Sequence, residues 1–397
     1  MADAPRECWI TGIGIVSCLG EGAAAHWQAL NAPPPMPDAG TFAPYFVHRL
    51  APLDLDKQIP KKGDQRQMEP WQRIGTYAAG LALESAGAKG NGELLARMDM
   101  IVAAGGGERD ETVDAGVLSG MPKAENPGAF LNERLMSDLR PTLFLAQLSN
   151  LLAGNISIVH GVTGSSRTFM GEESAGVDAV RIALSRIEAG QSEIALVGGA
   201  QNSERRDFLI IFAFGEQLLT DRFMPVWERA PRGGMALGSL GAFLVLESRE
   251  HAIARGAKPL ARLARVLSQR TNRQGDAARV ALAAMWNTLA GNIGVGGVGV
   301  ISGATGVEPA TAQERAFLQT LSDVPVRASG SYIGHGFEPQ FPMNIALATL
   351  ALGKDKLFPP GDSSGFERPM AGPLAQVVVT SVGHWRGEGM ALVEAVP

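Results

Sequence analysis

Short runs of apolar residues alternate along the chain with longer segments in which apolar residues recur every three or four positions. The runs are typical of buried strands, and the longer segments are typical of helices that cover a sheet. In one such segment, Ile74, Tyr77 and Leu81 follow helical spacing up to a glycine that can end the helix. The alternation of the two patterns predicts an α/β protein.

The pattern predicts two similar halves, residues 1–250 and residues 251–397, each rich in βαβ units. Predicted strands cover 7–16, the run MDMIVAAGGG, 155–159, 193–200, 241–247, 298–304 and the terminal runs QVVVTSVG and GMALVEAV. Predicted helices cover 70–87, 139–152, 174–189, the segment REHAIARG, 312–322 and 341–353. Residues 31–60 are rich in proline and show little periodicity, so they are predicted to form a surface loop.

Composition narrows the class of protein without identifying it. The 397 residues carry a formal charge of −5 and no isolated block of Lys or Arg, so nothing indicates nucleic-acid binding. The first residues lack the layout of a signal peptide, and no apolar run approaches the roughly 20 residues that span a bilayer. A cytoplasmic protein without a membrane segment is therefore expected. Cys8 and Cys18 are expected to be buried reduced thiols rather than a disulfide pair.

Four passages, in chain order, resemble the condensing ketosynthases of fatty acid and polyketide synthesis. WITGIGIVSCLG resembles their opening strand and turn, and residues 158–200 align without a gap with their nucleophile region. Residues 229–258 resemble their central signature, and SGSYIGHG at 329–336 resembles the motif of their second histidine. Because these passages cover nearly the whole chain, the protein resembles the beta-ketoacyl-ACP synthase (ketosynthase II type) and chain-length-factor branch of the thiolase superfamily.

This resemblance implies a thiolase fold, with five layers in the order αβαβα built from two similar halves. It also implies a dimer, with itself or with a paralogous ketosynthase subunit, formed through a strand close to the nucleophile region. The expected partner is an acyl carrier protein that bears a pantetheine-linked acyl chain. No cofactor and no metal are expected.

The family's catalytic cysteine position is occupied by Glu173 in this chain. Condensation needs a thiol to hold the acyl chain, and a carboxylate is a poor acyl carrier compared with a thiolate. Two interpretations of Glu173 stay open: a carboxylate at a helix N-terminus could imitate a bound acyl or malonyl group, or it could simply plug an unused pocket. The neighbouring Glu172 favours the plug, because two buried carboxylates repel each other.

In the family, two histidines stabilise the enolate that forms from the malonyl unit. The resemblance places Thr305 at the first histidine position, where threonine offers only a neutral hydrogen bond. Val307 and Glu308 take the places of the threonines that hold the pantetheine arm, so pantetheine is not expected in its usual pose. His335 retains the second histidine, whereas its accompanying lysine is replaced by Gly330.

The family's slim C-terminal gate is replaced here by bulky polar residues. The loop SVGHWRGEG places His384, Trp385 and Arg386 beside the expected acyl pocket as candidate substrate-binding residues. An open acyl tunnel past these side chains is not expected, and Arg386 is predicted to pair with Glu173.

Three functions fit these substitutions. The favoured one is a chain-length-factor-like subunit that does not condense acyl chains alone and pairs with an active ketosynthase. The second is a residual malonyl-ACP decarboxylase or acyltransferase acting alone, against which Thr305 argues because that chemistry uses both histidines. The third is a binding or scaffold role on the same fold. Arg66, Arg73, Arg205 and Arg206 are candidate contacts for an acidic carrier protein.

Overall fold

Strands and helices alternate through the part of the chain that the computed structural model describes, residues 5–141, 143–294, 297–321 and 323–396. The strands are β1 (Cys8–Ser17), β2 (Gly20–Glu21), β3 (Val47–His48), β4 (Asp99–Ala103), β5 (Ser166–Phe169), β6 (Ile194–Gln201), β7 (Leu237–Gly238), β8 (Leu240–Ser248), β9 (Ala261–Gln269), β10 (Val298–Ser302), β11 (Val326–Ala328), β12 (Gln376–Val382) and β13 (Glu388–Glu394). The helices are α1 (Gly22–Leu30), α2 (Lys62–Gln67), α3 (Pro70–Ser85), α4 (Gly92–Arg97), α5 (Glu111–Gly120), α6 (Pro127–Ser137), α7 (Leu143–Ala146), α8 (Leu151–His160), α9 (Glu173–Glu188), α10 (Arg206–Phe214), α11 (Arg249–Ala254), α12 (Ala277–Leu289), α13 (Ala310–Gln319), α14 (Gly330–Ile333) and α15 (Gln340–Leu352).

One strand order occurs twice in the large sheet, first as β5-β4-β6-β8-β1 and again as β11-β10-β12-β13-β9. In both sets the first two pairings are parallel and the last two are antiparallel. Antiparallel pairing of β1 with β9, which sets Ile10 opposite Ala261, joins the two sets into one sheet. The predicted division of the chain at residue 250 stays a prediction.

Alternate residues of the central strands face different cores, as the two-residue repeat of a strand requires. In β8, Leu244 faces a core that contains α9 and α15, whereas Val245 faces a second core beneath α3. In β12, Val379 faces the same central core, whereas Val378 faces a third core beneath α12 and α13. Helices and strand sets therefore alternate in five layers, and this arrangement confirms the expected α/β thiolase fold.

Most of the predicted elements are confirmed, and the main error lies near residue 155. The structure places α8 over 155–159, where a strand was predicted, and it replaces the predicted helix 139–152 by α7 and the start of α8. Leu152 and Ile156 lie one helical turn apart in the core beneath α3, so packing against that helix overrides the strand preference of the β-branched residues. Residues 31–60 are mostly irregular, as predicted, with the short β3 among them.

Three parts of the fold converge on the site. They are the N-terminus of α9, the loop between α14 and α15, and the loop between β12 and β13. Among the described residues, none of the helices is both long enough and apolar enough to cross a membrane.

Candidate functional site

A sharp turn between β5 and α9 presents residue 173. Gly171 has φ 135° and Glu172 has φ 58°, a conformation that is strained for a residue with a side chain. The Ser174 hydroxyl donates to the Gly171 carbonyl at 2.8 Å, and the Ala175 N–H donates to the Glu172 carbonyl at 3.0 Å. The turn sets Glu173 in the first turn of α9, where the partial positive charge of the helix end favours a carboxylate.

The carboxylate of Glu173 is held by two histidines from the second half of the chain. Its Oε1 atom accepts hydrogen bonds from His335 Nε2 at 2.7 Å, from His384 Nδ1 at 2.9 Å and from the His384 backbone N–H at 3.1 Å. The Glu173 side chain is only 2% exposed, and those of His335 and His384 are equally enclosed. Since a carboxylate only accepts, each ring nitrogen that faces it carries a proton.

Electrostatics makes this cluster a buried ion pair. Burial by itself raises the pKa of Glu173, but the charge of His384 and the hydrogen bonds from both histidines outweigh burial and hold that pKa well below its ordinary value. Burial lowers the pKa of His384, and the charge and hydrogen bond of Glu173 reverse this, so that the pKa of His384 is raised. The carboxylate is therefore ionised, and His384 holds its proton to a higher pH than a free histidine does.

The second carboxylate oxygen of Glu173 has different surroundings. Oε2 is buried without a hydrogen-bond partner among the described residues, and a Cβ atom at Gly383 would lie 3.0 Å from it. Glu172, Glu173 and His384 offer ligand atoms within 4.8 Å of one another, a grouping that a metal ion could use. A metal bound through Oε1 and Nδ1 would have to replace the hydrogen bond that now joins Glu173 to His384.

Aromatic rings enclose both histidines. Phe337, which has φ 55°, lies 4.6 Å from the His335 ring and 5.5 Å from the His384 ring, measured between centroids. Phe212 of α10 stacks on Phe337 at 4.9 Å and meets the edge of His384 at 5.4 Å. These apolar rings lower the polarity around the ion pair, which strengthens the attraction between its charges.

A further acidic residue, Glu338, lies beside the cluster and was missed by the sequence analysis. It is 5% exposed, and a Cβ atom at Gly105 would lie 3.1 Å from its Oε1 atom. Burial, and then repulsion from Glu173 and Glu172, raises the pKa of Glu338 to about 7. The only signal for Glu338 in the sequence is its place three residues after His335, outside the motif SGSYIGHG.

The other residues predicted to mark the site do not join the cluster. Thr305 is buried, and its hydroxyl accepts a hydrogen bond from the Val307 N–H at 3.0 Å, so it stabilises its own turn. In the described structure it makes no hydrogen bond to Glu173. At Gly330, a Cβ atom would lie 3.2 Å from both the Ala304 carbonyl oxygen and a methyl group of Val226, which leaves little room for a longer side chain.

A cleft of about 710 Å³ adjoins the cluster, and His384, Trp385 and Arg386 line it together with Val307 and Glu308. His384 is buried at the Glu173 carboxylate, whereas Trp385 is 65% exposed and Arg386 is also exposed. The predicted pairing of Arg386 with Glu173 is wrong, because His335 and His384 occupy the Oε1 atom of that carboxylate and Arg386 faces solvent. The residue of this loop that binds Glu173 is His384.

The fold and the turn that presents Glu173 define a thiolase-fold protein of the condensing-enzyme class. Residues 6–252 match the family model described as beta-ketoacyl synthase, N-terminal domain. Because the match covers more than half of the chain, the protein belongs to the beta-ketoacyl synthase family.

Relatives in sequence lie in the same family. The 3-oxoacyl-(acyl-carrier-protein) synthase 2 of Vibrio cholerae is 27% identical over 263 residues, which cover 64% of this chain and 60% of the relative. Nodulation protein E of Rhizobium leguminosarum bv. trifolii is 28% identical over 269 residues, which cover 65% of this chain and 62% of the relative. The chain thus spans about six tenths of the length of these relatives.

Solved structures show the same fold over the whole chain. The ishigamide ketosynthase/chain length factor has a TM-score of 0.78 at 20% identity, covering 99% of this chain and 100% of that one. A beta-ketoacyl synthase from Burkholderia phymatum STM815 has a TM-score of 0.77 at 19% identity, with coverage of 99% and 100%. A ketosynthase structure solved in complex with its type II polyketide synthase acyl-carrier protein has a TM-score of 0.72 at 17% identity, with coverage of 98% and 100%.

The substitution E173Q tests the ion pair through the pH dependence of stability. The lowered pKa of Glu173 contributes stability above its ordinary value of 4.5, and the raised pKa of His384 contributes stability that is lost as pH rises through it. We expect E173Q to lower the free energy of unfolding by about 2 kcal/mol at pH 6 and by clearly less at pH 9. Urea titrations at one protein concentration measure this, with E133Q, at an exposed site, as the control. A deficit that is equal at both pH values would contradict the ion pair.

The substitution E338Q should act in the opposite direction. Because its pKa is raised to about 7, folded Glu338 keeps a proton that the unfolded chain has lost, and the protein loses stability as pH rises from 4.5 towards 7. We expect E338Q to be more stable than wild type at pH 8 by about 1–3 kcal/mol and nearly equal to it at pH 4.5. The same titrations measure the difference, and a destabilised E338Q at pH 8 would show that the carboxylate is needed in its charged form.

Proposed function

We propose that this chain is a chain-length-factor-like subunit of fatty acid or polyketide-type biosynthesis that does not condense acyl chains alone and pairs with an active ketosynthase. One observation carries the proposal. The position that must hold a free thiol holds the Glu173 carboxylate, which is buried and bonded to His335 and His384. Both imidazoles that could stabilise an enolate are thus already bound to a side chain of the protein itself.

The two cysteines of the chain are no substitute for the missing thiol. Burial raises the pKa of Cys18 to about 12 and raises the pKa of Cys8 even more, so neither is a thiolate near neutral pH. Cys8 and Cys18 lie in and directly after β1, whereas the residue at the family's nucleophile position opens α9. The chain therefore supplies no nucleophile for a condensation of the family's kind.

The edge strand β5 is the surface at which we place the partner. Within the described strands β5 pairs only with β4, and its residues are exposed or half-buried, whereas β11, at the other end of the sheet, is buried. Met170, directly after β5, is 64% exposed, and Ile158 of the neighbouring α8 is 70% exposed. An open strand edge beside exposed apolar side chains favours pairing with a second chain. A paralogous ketosynthase, or a second copy of this chain, would pair here.

We also propose an acyl carrier protein as a partner, on the model of the ketosynthase complex described above. The candidate basic contacts differ in availability: Arg206 is exposed, whereas Arg205 is buried and bonded to Asp207 at 2.9 Å. Arg66 is exposed and Arg73 is half-buried. Arg206 and Arg66 are therefore the arginines of this set that a carrier protein could reach.

A malonyl-ACP decarboxylase or acyltransferase is the second candidate, because His384 supplies the histidine that Thr305 does not. His335 and His384 together restore a pair of imidazoles at residue 173. A malonyl carboxylate would have to displace Glu173 from both of them, and for this reason we place this function second.

Copurification with activity assays tests the proposed pairing. The chain is purified alone, and also after co-expression with any cysteine-bearing ketosynthase from the same gene cluster. Both samples are assayed for malonyl decarboxylation and condensation. We expect activity only in the copurified pair, because the chain alone lacks a thiol at residue 173. A charged substitution in the edge strand, T168K, should reduce copurification, and T288K, at an exposed position of α12, is the matched control. Activity of the chain alone would contradict the proposal.

Restoring the thiol alone should not restore condensation. In E173C the thiol would sit beside His335 and His384, but residue 305 would still be threonine and residue 330 would still be glycine. We expect no ketoacyl product above background from E173C in a condensation assay with malonyl-ACP and acyl-ACP. Product from this single change would show that His384 fully replaces the family's first histidine.

A further inference from the structure

The imidazole of His384 has one nitrogen that the Glu173 cluster does not use. Its Nδ1 atom and its backbone N–H both bond to Glu173, and these hydrogen bonds of His384 leave Nε2 unused. When His384 is neutral, the bond to Glu173 keeps the proton on Nδ1 and leaves the lone pair on Nε2. A carboxylate that orients a histidine in this way is the arrangement that makes an imidazole a general base.

The same histidine lines the cleft of about 710 Å³, so a ligand in the cleft would lie beside His384. Glu173 does not line this cleft, so the carboxylate and the ligand would meet opposite edges of one imidazole. Of Glu173, His335 and His384, only His384 lines the cleft.

One arginine in the wall of the cleft is available to an anionic group of a ligand. Four arginines face two glutamates around it: Arg232, Arg270, Arg273 and Arg386 against Glu216 and Glu308. Arg273 is paired with Glu388, Arg232 with Asp221 and Arg270 with Asp178, whereas Arg386 has no ion-pair partner among the described residues. Arg386 is therefore the cation most available to a carboxylate or phosphate group of a ligand.

We propose that His384 is a catalytic general base for the hydrolysis of acyl thioesters bound in this cleft, with Glu173 as its positioning residue. This hydrolysis goes beyond the proposed pairing function. The choice of thioesters as substrates rests on that proposal, because an acyl carrier protein bears its acyl chain as a thioester. Nε2 of His384 removes a proton from water, and the water oxygen forms a bond to the thioester carbonyl carbon. The carbon–sulfur bond then breaks, and the departing thiolate takes the proton from Nε2. The products are one carboxylic acid and one thiol.

In this role Glu173 positions the base His384 and forms no covalent intermediate with the substrate. Glu173 is bonded to His384 through the ring and through the backbone N–H, so it fixes both the tautomer and the place of the loop. Because the pKa of His384 is raised, its base form accumulates at a higher pH than that of a free histidine. Hydrolysis should therefore increase with pH through a midpoint above 6.5, the ordinary pKa of histidine.

Thiol release from acetyl-CoA, malonyl-CoA and octanoyl-CoA tests the proposal on the purified full-length chain. We expect a slow release above the buffer rate, which H384Q lowers by about a hundredfold, the scale of a lost general base. The control is H251Q, because His251 also bonds a glutamate, Glu247, through Nδ1 but lies outside the cleft. H251Q should keep the wild-type rate. If the wild-type chain releases thiol no faster than buffer from all three esters, the proposal is overturned.

The variant E173Q separates a positioning role from a merely structural one. Glutamine keeps an oxygen that can accept from both histidines but removes the charge that raises the pKa of His384. We expect the midpoint of the pH–rate profile to move to lower pH in E173Q, together with a lower plateau. An unchanged midpoint would overturn the role of Glu173, including in the case where H384Q fails to fold. Failure of the pairing proposal would appear as lost copurification, which this assay does not measure.

Discussion

The buried ion pair between Glu173 and His384 is the interaction on which the site depends. One partner opens a helix of the first strand set, and the other lies in the hairpin loop between β12 and β13 of the second. A lone carboxylate in such surroundings would be strongly destabilised, and only the donors that meet it make it tolerable. The two strand sets must therefore be docked in register before the cluster can form, which ties the chemistry of the site to the packing between them.

The cluster explains why the turn before α9 is strained. Glu172 holds φ 58° although it is not glycine, and such a conformation persists only where the surroundings over-determine it. In a condensing enzyme of this family the same turn would present a thiol to an acyl chain. Here it presents a carboxylate to two imidazoles, and the aromatic rings of Phe212 and Phe337 close the space around them. A strained turn at the start of a helix thus serves here to present an acceptor.

The sequence predicted the fold well where apolar periodicity was strong and poorly where tertiary packing decided. β8 and β12 are buried on both faces, so their sequences are continuous apolar runs that predict strands. β5 has the short polar sequence SRTF, which does not predict a strand. β9 and α12 were also not predicted, since β9 carries arginines among its apolar residues. Glu173 and His335 were placed by motif, but the bond between Glu173 and His384 joins residues 211 positions apart. No local pattern reports such a contact.

Residues 173, 383 and 384 fit one another, which argues that the Glu173 carboxylate does more than fill an unused pocket. A plug requires only that a pocket be filled, and an apolar side chain would fill it without the cost of burying a charge. This chain instead has a glutamate at 173, a histidine at 384 that bonds to it, and a glycine at 383 that leaves room for Oε2. The buried charge of Glu173 needs the proton of His384, and its Oε2 atom needs the space that Gly383 leaves. A buried carboxylate kept ionised by a histidine that lines a cleft is costly to hold, and the proposed role of that histidine explains why the cost is met.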